Sequence, residues 1–252
     1  MQVVGYDPSG RGSALLVSDG DGSEARRISL EPGTDLGFGL GDRRCAGSID
    51  REGVHYACDR PETPYCEFHT TSWVCARCTG TCLKDEMDCY DPHAVYLAAF
   101  APRTVKVGVT RAERLETRLR EQGADRGAHI HTVSNGRIAR ELEAGIAEEL
   151  TDRVRVPTKR AGLAANVDAD RWEGALAEFD VIDRYAFDYG LDLPVRPVVE
   201  TIASGTVRGV KGRLLVLDRG ATTYAVDMRD LVGYELEEGA DERRLQSSLG
   251  SF

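Results

Sequence analysis

From residue 93 onward the spacing of apolar and polar positions is regular enough to predict elements. Val95–Phe100 and Val105–Thr110 are β-rich runs separated by Ala101-Pro102-Arg103, which predicts two strands joined as a hairpin. Residues 111–122 lack Gly and Pro and suit a helix, and His129–Val133 suits a third strand. Ser134-Asn135-Gly136 then precedes a second helix over 137–150, where Ile138, Leu142, Ile146 and Leu150 recur at every fourth position. Trp172, Leu176, Phe179, Ile182 and Tyr185 predict another helix over 170–187. Towards the ends the pattern shortens. Ala14–Val17 and Ile28–Leu30 lie between turn signals such as Ser18-Asp19-Gly20 and Glu31-Pro32-Gly33, and Arg213–Leu217 and Thr222–Val226 flank Asp218-Arg219-Gly220. A strand pair, helix, strand and helix beside separate β pieces predicts an α+β fold.

These patterns divide the chain into an N-terminal β segment (1–44), a cysteine-bearing module (45–92), a strand–helix core (93–158), a helical segment (159–199) and a C-terminal β segment (200–252). The 252 residues, 41% apolar and 29% charged, predict packed globular structure rather than disorder. The longest apolar run, Ala94–Ala101, is far short of the roughly 20 residues a membrane span needs. Met1–Asp7 has neither the charged start nor the apolar stretch of a signal peptide. The expectation is a cytoplasmic chain with reduced thiols and no membrane partner. Net charge is −10, which argues against binding nucleic acid with the whole surface. With 28 Arg to 4 Lys inside that acidic excess, the composition points to a salt-loving or GC-rich source.

Thiol usage changes this picture. All seven cysteines (Cys45, Cys58, Cys66, Cys75, Cys78, Cys82 and Cys89) fall within 45 residues, and His69 follows Cys66 by three. Eight such ligands are enough for two closed tetrahedral zinc sites, structural rather than catalytic because no position is left for water. The sequential partition puts Cys45, Cys58, Cys66 and His69 on one ion and Cys75, Cys78, Cys82 and Cys89 on the other. Interleaved partitions use the same residues, and His93 is a spare candidate. Burial as small apolar side chains explains one or two cysteines but not seven. A redox role for Cys75-x-x-Cys78 lacks the strand-to-helix setting that such chemistry uses.

Charge counted by segment alters the expectation for nucleic acid. Residues 101–160 carry 13 Lys+Arg against 9 Asp+Glu, and the rest of the chain 19 against 33. Arg111, Arg114 and Arg118 project from one side of the first helix, where like charges repel unless an anion or neighbouring carboxylates relieve them. Phosphate suits guanidinium forks; Glu113 and a Glu116–Arg120 pair offer the alternative of a solvated face. Glu143 sits at the margin of the second helix's apolar stripe. It needs a partner there: Arg140, an arginine of the first helix, or a divalent cation.

Val95-Tyr96-Leu97-Ala98, Lys106-Val107-Gly108-Val109-Thr110, an arginine-bearing helix and a glutamate on a second helix together resemble the GIY-YIG nuclease core. More specifically, residues 93–124, ending in Glu121-Gln122-Gly123-Ala124, resemble an uncharacterised family of zinc-cysteine proteins, which also has upstream cysteines and a downstream Gly-Val-Lys-Gly run, here Gly209–Gly212. The resemblance implies roles by position. Tyr96 orients and deprotonates the attacking water, Gly108 is a tight spot beside the site, Arg118 (with Arg114 as rival) binds phosphate, and Glu143 holds Mg²⁺ or Mn²⁺. Lys106 departs from the nuclease pattern, standing where a second tyrosine is expected. It can bind phosphate or accept a proton; it equally marks a core that binds without cutting. His129 and His131 are further candidate bases. Gly205–Gly212 lacks the ending of a nucleotide loop and reads as a β element.

The expectation is a zinc module leading into a GIY-YIG-like core, flanked by small β elements, in a protein that processes DNA or RNA. The catalytic set is Tyr96, Lys106, Arg118 and Glu143, and Arg111, Arg114, Arg118 and Arg140 contact the nucleic acid. The alternative is a zinc-stabilised nucleic-acid- or protein-binding module with a degenerate core.

Overall fold

The computed structural model describes residues 1–8, 12–70 and 89–239 and is a mixed α+β structure rich in strands. The chain forms two compact units: Met1–Thr71 with Tyr189–Phe252, and Ser72–Asp188. No helix among the described residues is long and apolar enough to cross a membrane.

The first unit opens with β1 (Gln2–Asp7), β2 (Ala14–Ser18), β3 (Arg26–Ser29), β4 (Asp35–Arg43) and the two-residue strands β5 (Ser48–Ile49) and β6 (His55–Tyr56). The expected β character of this end is present, and β4 is an addition. Its signal is the alternation of Leu36, Phe38 and Leu40 with Gly37, Gly39 and Gly41, a period-two pattern concealed by glycines that normally weaken strands.

The second unit contains β7 (His93–Phe100), β8 (Thr104–Arg111), α1 (Leu115–Gln122), β9 (Arg126–Val133), α2 (Gly136–Ile146), α3 (Val156–Ala161), α4 (Ala169–Leu176) and β10 (Asp183–Ala186). The expected hairpin, helix, strand and helix follow in that order. The helix expected over 170–187 is a correction: it stops at Leu176, and Asp183–Ala186 instead pairs antiparallel with β9. The 3.6-residue spacing of Ile182 and Tyr185 is overridden there by the unpaired edge of β9, whose backbone groups need partners. Helix α2 is likewise shorter than expected, ending at Ile146 rather than 150.

The antiparallel sheet of this unit has the order β10-β9-β7-β8. Strand β7 is central and buried on both faces, so its alternate residues serve two cores. Val95, Leu97 and Ala99 pack with Val105, Val107, Trp172 and Leu176. On the other face Ala94, Tyr96, Ala98 and Phe100 pack with Leu115 and Leu119 of α1. Helix α1 comes close because β9 offers Gly127 beneath it; a Cβ there would lie 2.4 Å from Leu119 Cδ1.

The chain then returns to the first unit with β11 (Val198–Val199), β12 (Ala203–Lys211), β13 (Leu214–Arg219), β14 (Thr222–Asp227), α5 (Met228–Leu231) and β15 (Tyr234–Glu238). The nine-stranded sheet has the order β11-β14-β13-β12-β4-β15-β1-β2-β3, antiparallel throughout except for the β11–β14 pair. One core gathers Val3, Leu15 and Val17 from one end of that sheet and Leu215, Leu217 and Val226 from the other, so the sheet curls over itself. Bulges at Val3/Gly5, Val207/Gly209 and Tyr234/Leu236 supply the local bend.

Candidate functional site

In the first unit the loop after β4, the segment after β6 and the turn at residues 66–70 bring four ligand atoms together. Those of Cys45, Cys58, Cys66 and His69 all lie within 4.8 Å of one another. Cys45 Sγ and Cys66 Sγ are 3.4 and 3.3 Å from His69 Nδ1, and Cys58 Sγ is 4.0 Å from Cys66 Sγ. A tetrahedral zinc ion with ordinary Zn–S and Zn–N lengths holds sulfurs about 3.8 Å apart and sulfur and nitrogen about 3.6 Å apart. Three soft thiolates and one imidazole are the donor set zinc prefers, and the cluster could hold one such ion.

Local geometry prepares the site. The Cys66 backbone N–H donates to Cys45 Sγ at 3.2 Å, and the Thr70 backbone N–H donates to the Cys66 carbonyl at 2.8 Å, closing the Cys66-x-x-His69 turn. Burial pushes the Cys66 thiol up, but the N–H groups of His69 and Phe68, with the Cys45 and His69 side chains, bring it down to about 7. Burial dominates at Cys45 and raises it. His55 was not singled out by its sequence context. It is buried and bonded on both ring nitrogens, to Ser18 Oγ at 3.0 Å and to the Ala46 carbonyl at 2.9 Å, so it anchors the backbone beside Cys45.

Of the other expected thiolate ligands, Cys75, Cys78 and Cys82 lie outside the described residues. Cys89 belongs to the second unit, where its Sγ and His93 Nε2 approach the same point: a Cβ on Gly136 would meet them at 3.1 and 3.0 Å. His93 Nδ1 faces the Asp91 carbonyl at 2.7 Å, which leaves Nε2 as the free lone pair.

The second unit also assembles the expected polar residues. Tyr96 and Gly108 are direct partners across β7 and β8, and Ala98 and Lys106 are the next pair on that face. The Tyr96 ring lies across β8 because position 108 has no side chain; a Cβ there would stand 2.6 Å from Tyr96 Cζ and Oη. Tyr96 is 1% exposed, and burial raises its hydroxyl pKa, against the opposing pull of Gln122 and Arg118. Lys106 donates to the Asp152 carbonyl at 3.1 Å. Burial lowers its pKa to about 8, with Glu143 and Asp152 opposing that fall and Arg118 and Arg140 adding to it. Residues from β7, β8, α1 and α2 therefore lie within electrostatic reach of one another.

Within that group the charges are paired. Glu143 accepts from Arg140 Nη1 at 2.6 Å, which is the first of the partners its position required. The expected row of three arginines on one helix is a correction, since Arg111 ends β8 and Arg114 lies in the turn before α1; Glu121 of α1 takes Arg114 at 2.8 Å and Arg118 at 3.3 Å. It supplies the relief that Glu113 was expected to give, whereas the Glu116–Arg120 pair forms as expected at 3.0 Å. Arg111 pairs with Asp91 at 3.4 Å. His129 is buried, its Nε2 2.9 Å from the His131 carbonyl and 3.0 Å from Thr132 Oγ1. Among the described residues Glu143 belongs to no group of three or more possible metal ligands, and nothing supports a resident Mg²⁺ or Mn²⁺ ion there.

Residues 40–236 match the model of a protein family described as "Protein of unknown function (DUF2797)". No curated protein and no solved structure matches the chain.

Proposed function

The chain belongs to the DUF2797 family, and from that premise we propose that it is a zinc-containing, nucleic-acid-processing protein with a GIY-YIG-like phosphodiester site in its second unit. The observation that carries the reading is the conjunction of Tyr96 lying over Gly108 with Arg118 and Glu143 in electrostatic reach of both Tyr96 and Lys106. Tyr96, Gly108, Arg118 and Glu143 resemble the nuclease motif by residue type, Lys106 stands where a second tyrosine is expected, and the five come from four separate elements. In this reading the zinc cluster is structural: its four protein ligands leave no open position.

The roles follow from the environments. Arg118, half exposed, offsets phosphate charge, and Lys106 adds to it while protonated and accepts a proton only as the neutral amine. With a pKa of about 8, Lys106 is the better matched proton acceptor near neutrality, whereas Tyr96 is held neutral. Glu143 in its present pairing offers a hard cation one carboxylate already taken by Arg140, so no step is routed through a metal.

A second reading is a module that binds nucleic acid without cutting it, favoured by the internal pairing of Glu143 with Arg140 and of Arg114 and Arg118 with Glu121. One experiment separates them. Purified protein is incubated with single- and double-stranded DNA and RNA, with Mg²⁺ or Mn²⁺, beside Glu143→Ala. Cleavage by the wild type that the variant loses supports the enzyme. No cleavage of any substrate, or equal cleavage by the variant, overturns it, and salt-dependent binding without cleavage leaves the binding module.

A further inference from the structure

Gln122 is the last residue of α1 and belongs to none of the expected sites. Its Nε2 donates to Tyr96 Oη at 2.5 Å. The Arg118 guanidinium acts on the same oxygen. A phenol has one proton to give and an oxygen that accepts, and here the accepting side is taken by donors from α1. Among the described residues no group accepts the Tyr96 proton. A buried O–H donor without an acceptor is costly, about 1–3 kcal/mol, and such groups call for a partner supplied from outside the chain.

The supports of this contact are themselves fixed. Lys159 of α3 donates to the Gln122 carbonyl at 2.6 Å, and its ammonium lies 4.8 Å from the centre of the Phe100 ring. Across the sheet the ring lies over Gly108, where a Cβ would stand 2.6 Å from Tyr96 Cζ and Oη. Side-chain amide and phenol are thus held from both ends.

We infer that Gln122 is a positioning residue that turns Tyr96 into a hydrogen-bond donor, and that the acceptor it serves is a non-bridging phosphate oxygen of the nucleic acid. This rests on the reading above for the identity of the ligand, and it departs from the role the nuclease resemblance implies, in which the tyrosine takes a proton from water. An anionic oxygen beside Arg118 and Lys106 matches a lone buried donor, and an O–H···O⁻ bond is among the stronger hydrogen bonds. Proton acceptance then falls to Lys106.

The test uses the full chain with isotope-labelled tyrosine ring carbons, Tyr96 being assigned from Tyr96→Phe. In the free protein, Gln122→Glu replaces the amide donor by an isosteric acceptor, and Gln122→Lys keeps a donor. The Tyr96 signal is expected to titrate at higher pH in the first variant and no higher than wild type in the second. Equal behaviour of the two overturns the positioning role, whether or not nucleic acid binds. A short single-stranded DNA oligonucleotide is then added. The Tyr96 signal should move in wild type and in Gln122→Lys, with affinity in Gln122→Glu about tenfold weaker, the worth of one charge-assisted bond. Binding that leaves the Tyr96 signal unmoved overturns the phosphate contact, and absence of binding by wild type overturns the functional reading itself.

Discussion

The thiol–imidazole cluster of the first unit and the cationic cluster of the second are both made of polar side chains gathered from separate segments, yet they are left in opposite states. Cys45, Cys58, Cys66 and His69 converge on each other, their ligand atoms all within 4.8 Å. Around Tyr96 nearly every charge already has a protein partner: Arg140 on Glu143, Arg114 and Arg118 on Glu121, Lys106 on the Asp152 carbonyl. A set of like donors within 4.8 Å could be closed by one metal ion, whereas a set of opposite charges closes on itself and must be opened by a competing anion. On the proposed function, the first arrangement is structural and the second is a site that exchanges partners.

The two clusters should differ most in their dependence on metal. On the structural-zinc reading, Cys66→Ser should lower the metal content and cost the first unit at least about 3 kcal/mol, since binding energy is then folding energy. Elemental analysis with thermal denaturation checks it, and unchanged metal content and melting would show that no metal holds this unit together. Next in size is Gly108→Ala. A methyl group 2.6 Å from the Tyr96 ring should destabilise the second unit by about 1–3 kcal/mol, read as a lower urea midpoint.

Smaller effects test the closed charges. Glu143→Gln should tighten oligonucleotide binding by about fivefold at low salt, roughly 1 kcal/mol, because it frees Arg140 and removes a competing anion. A weaker complex would show that Glu143 itself contacts the ligand side. Glu121→Gln frees Arg114 and Arg118, both about half exposed, and should tighten binding by only about twofold.

Lys106 provides the pH test. Its folded pKa of about 8 lies below the ordinary 10.5, so between those values the unfolded chain holds a proton that the folded chain has released. Stability therefore rises with pH across that interval, and below about 8 the desolvated ammonium is a cost. Lys106→Met should be more stable than wild type near neutrality by about 1 kcal/mol, after allowance for its partial exposure, with the gap closing towards pH 10.5. Oligonucleotide affinity should fall above pH 8 in wild type and not in the variant, as isothermal titration across pH would record.

Much of the second unit was legible because its elements are strongly patterned. The hairpin could be read from two apolar runs around Ala101-Pro102-Arg103, and α2 from a four-residue stripe. Ile182 and Tyr185 misled, since a helical period in a short stretch does not register a sheet edge waiting to be paired. In the first unit, β4 escaped because glycines fill its alternate positions, and the order of nine strands has no local signature at all. Gln122 was visible only as part of Glu121-Gln122-Gly123-Ala124; nothing local ties its amide to a phenol 26 positions earlier.

The sequence by itself determined the chemistry on offer: seven thiols and a histidine within 45 residues, a basic stretch inside an acidic chain, and a tyrosine, a lysine, arginines and a glutamate on successive predicted strands and helices. These are properties of residue type and of separation along the chain, which need no partner to be read. Only the tertiary structure decided which charges meet. Whether Glu143 faces Arg140 or a cation, whether Glu113 or Glu121 relieves the arginine row, and which side of the Tyr96 hydroxyl is left open depend on how helices and strands pack. Packing brings together groups tens of residues apart, and within the low dielectric it creates, a shift of a few ångströms changes a partner.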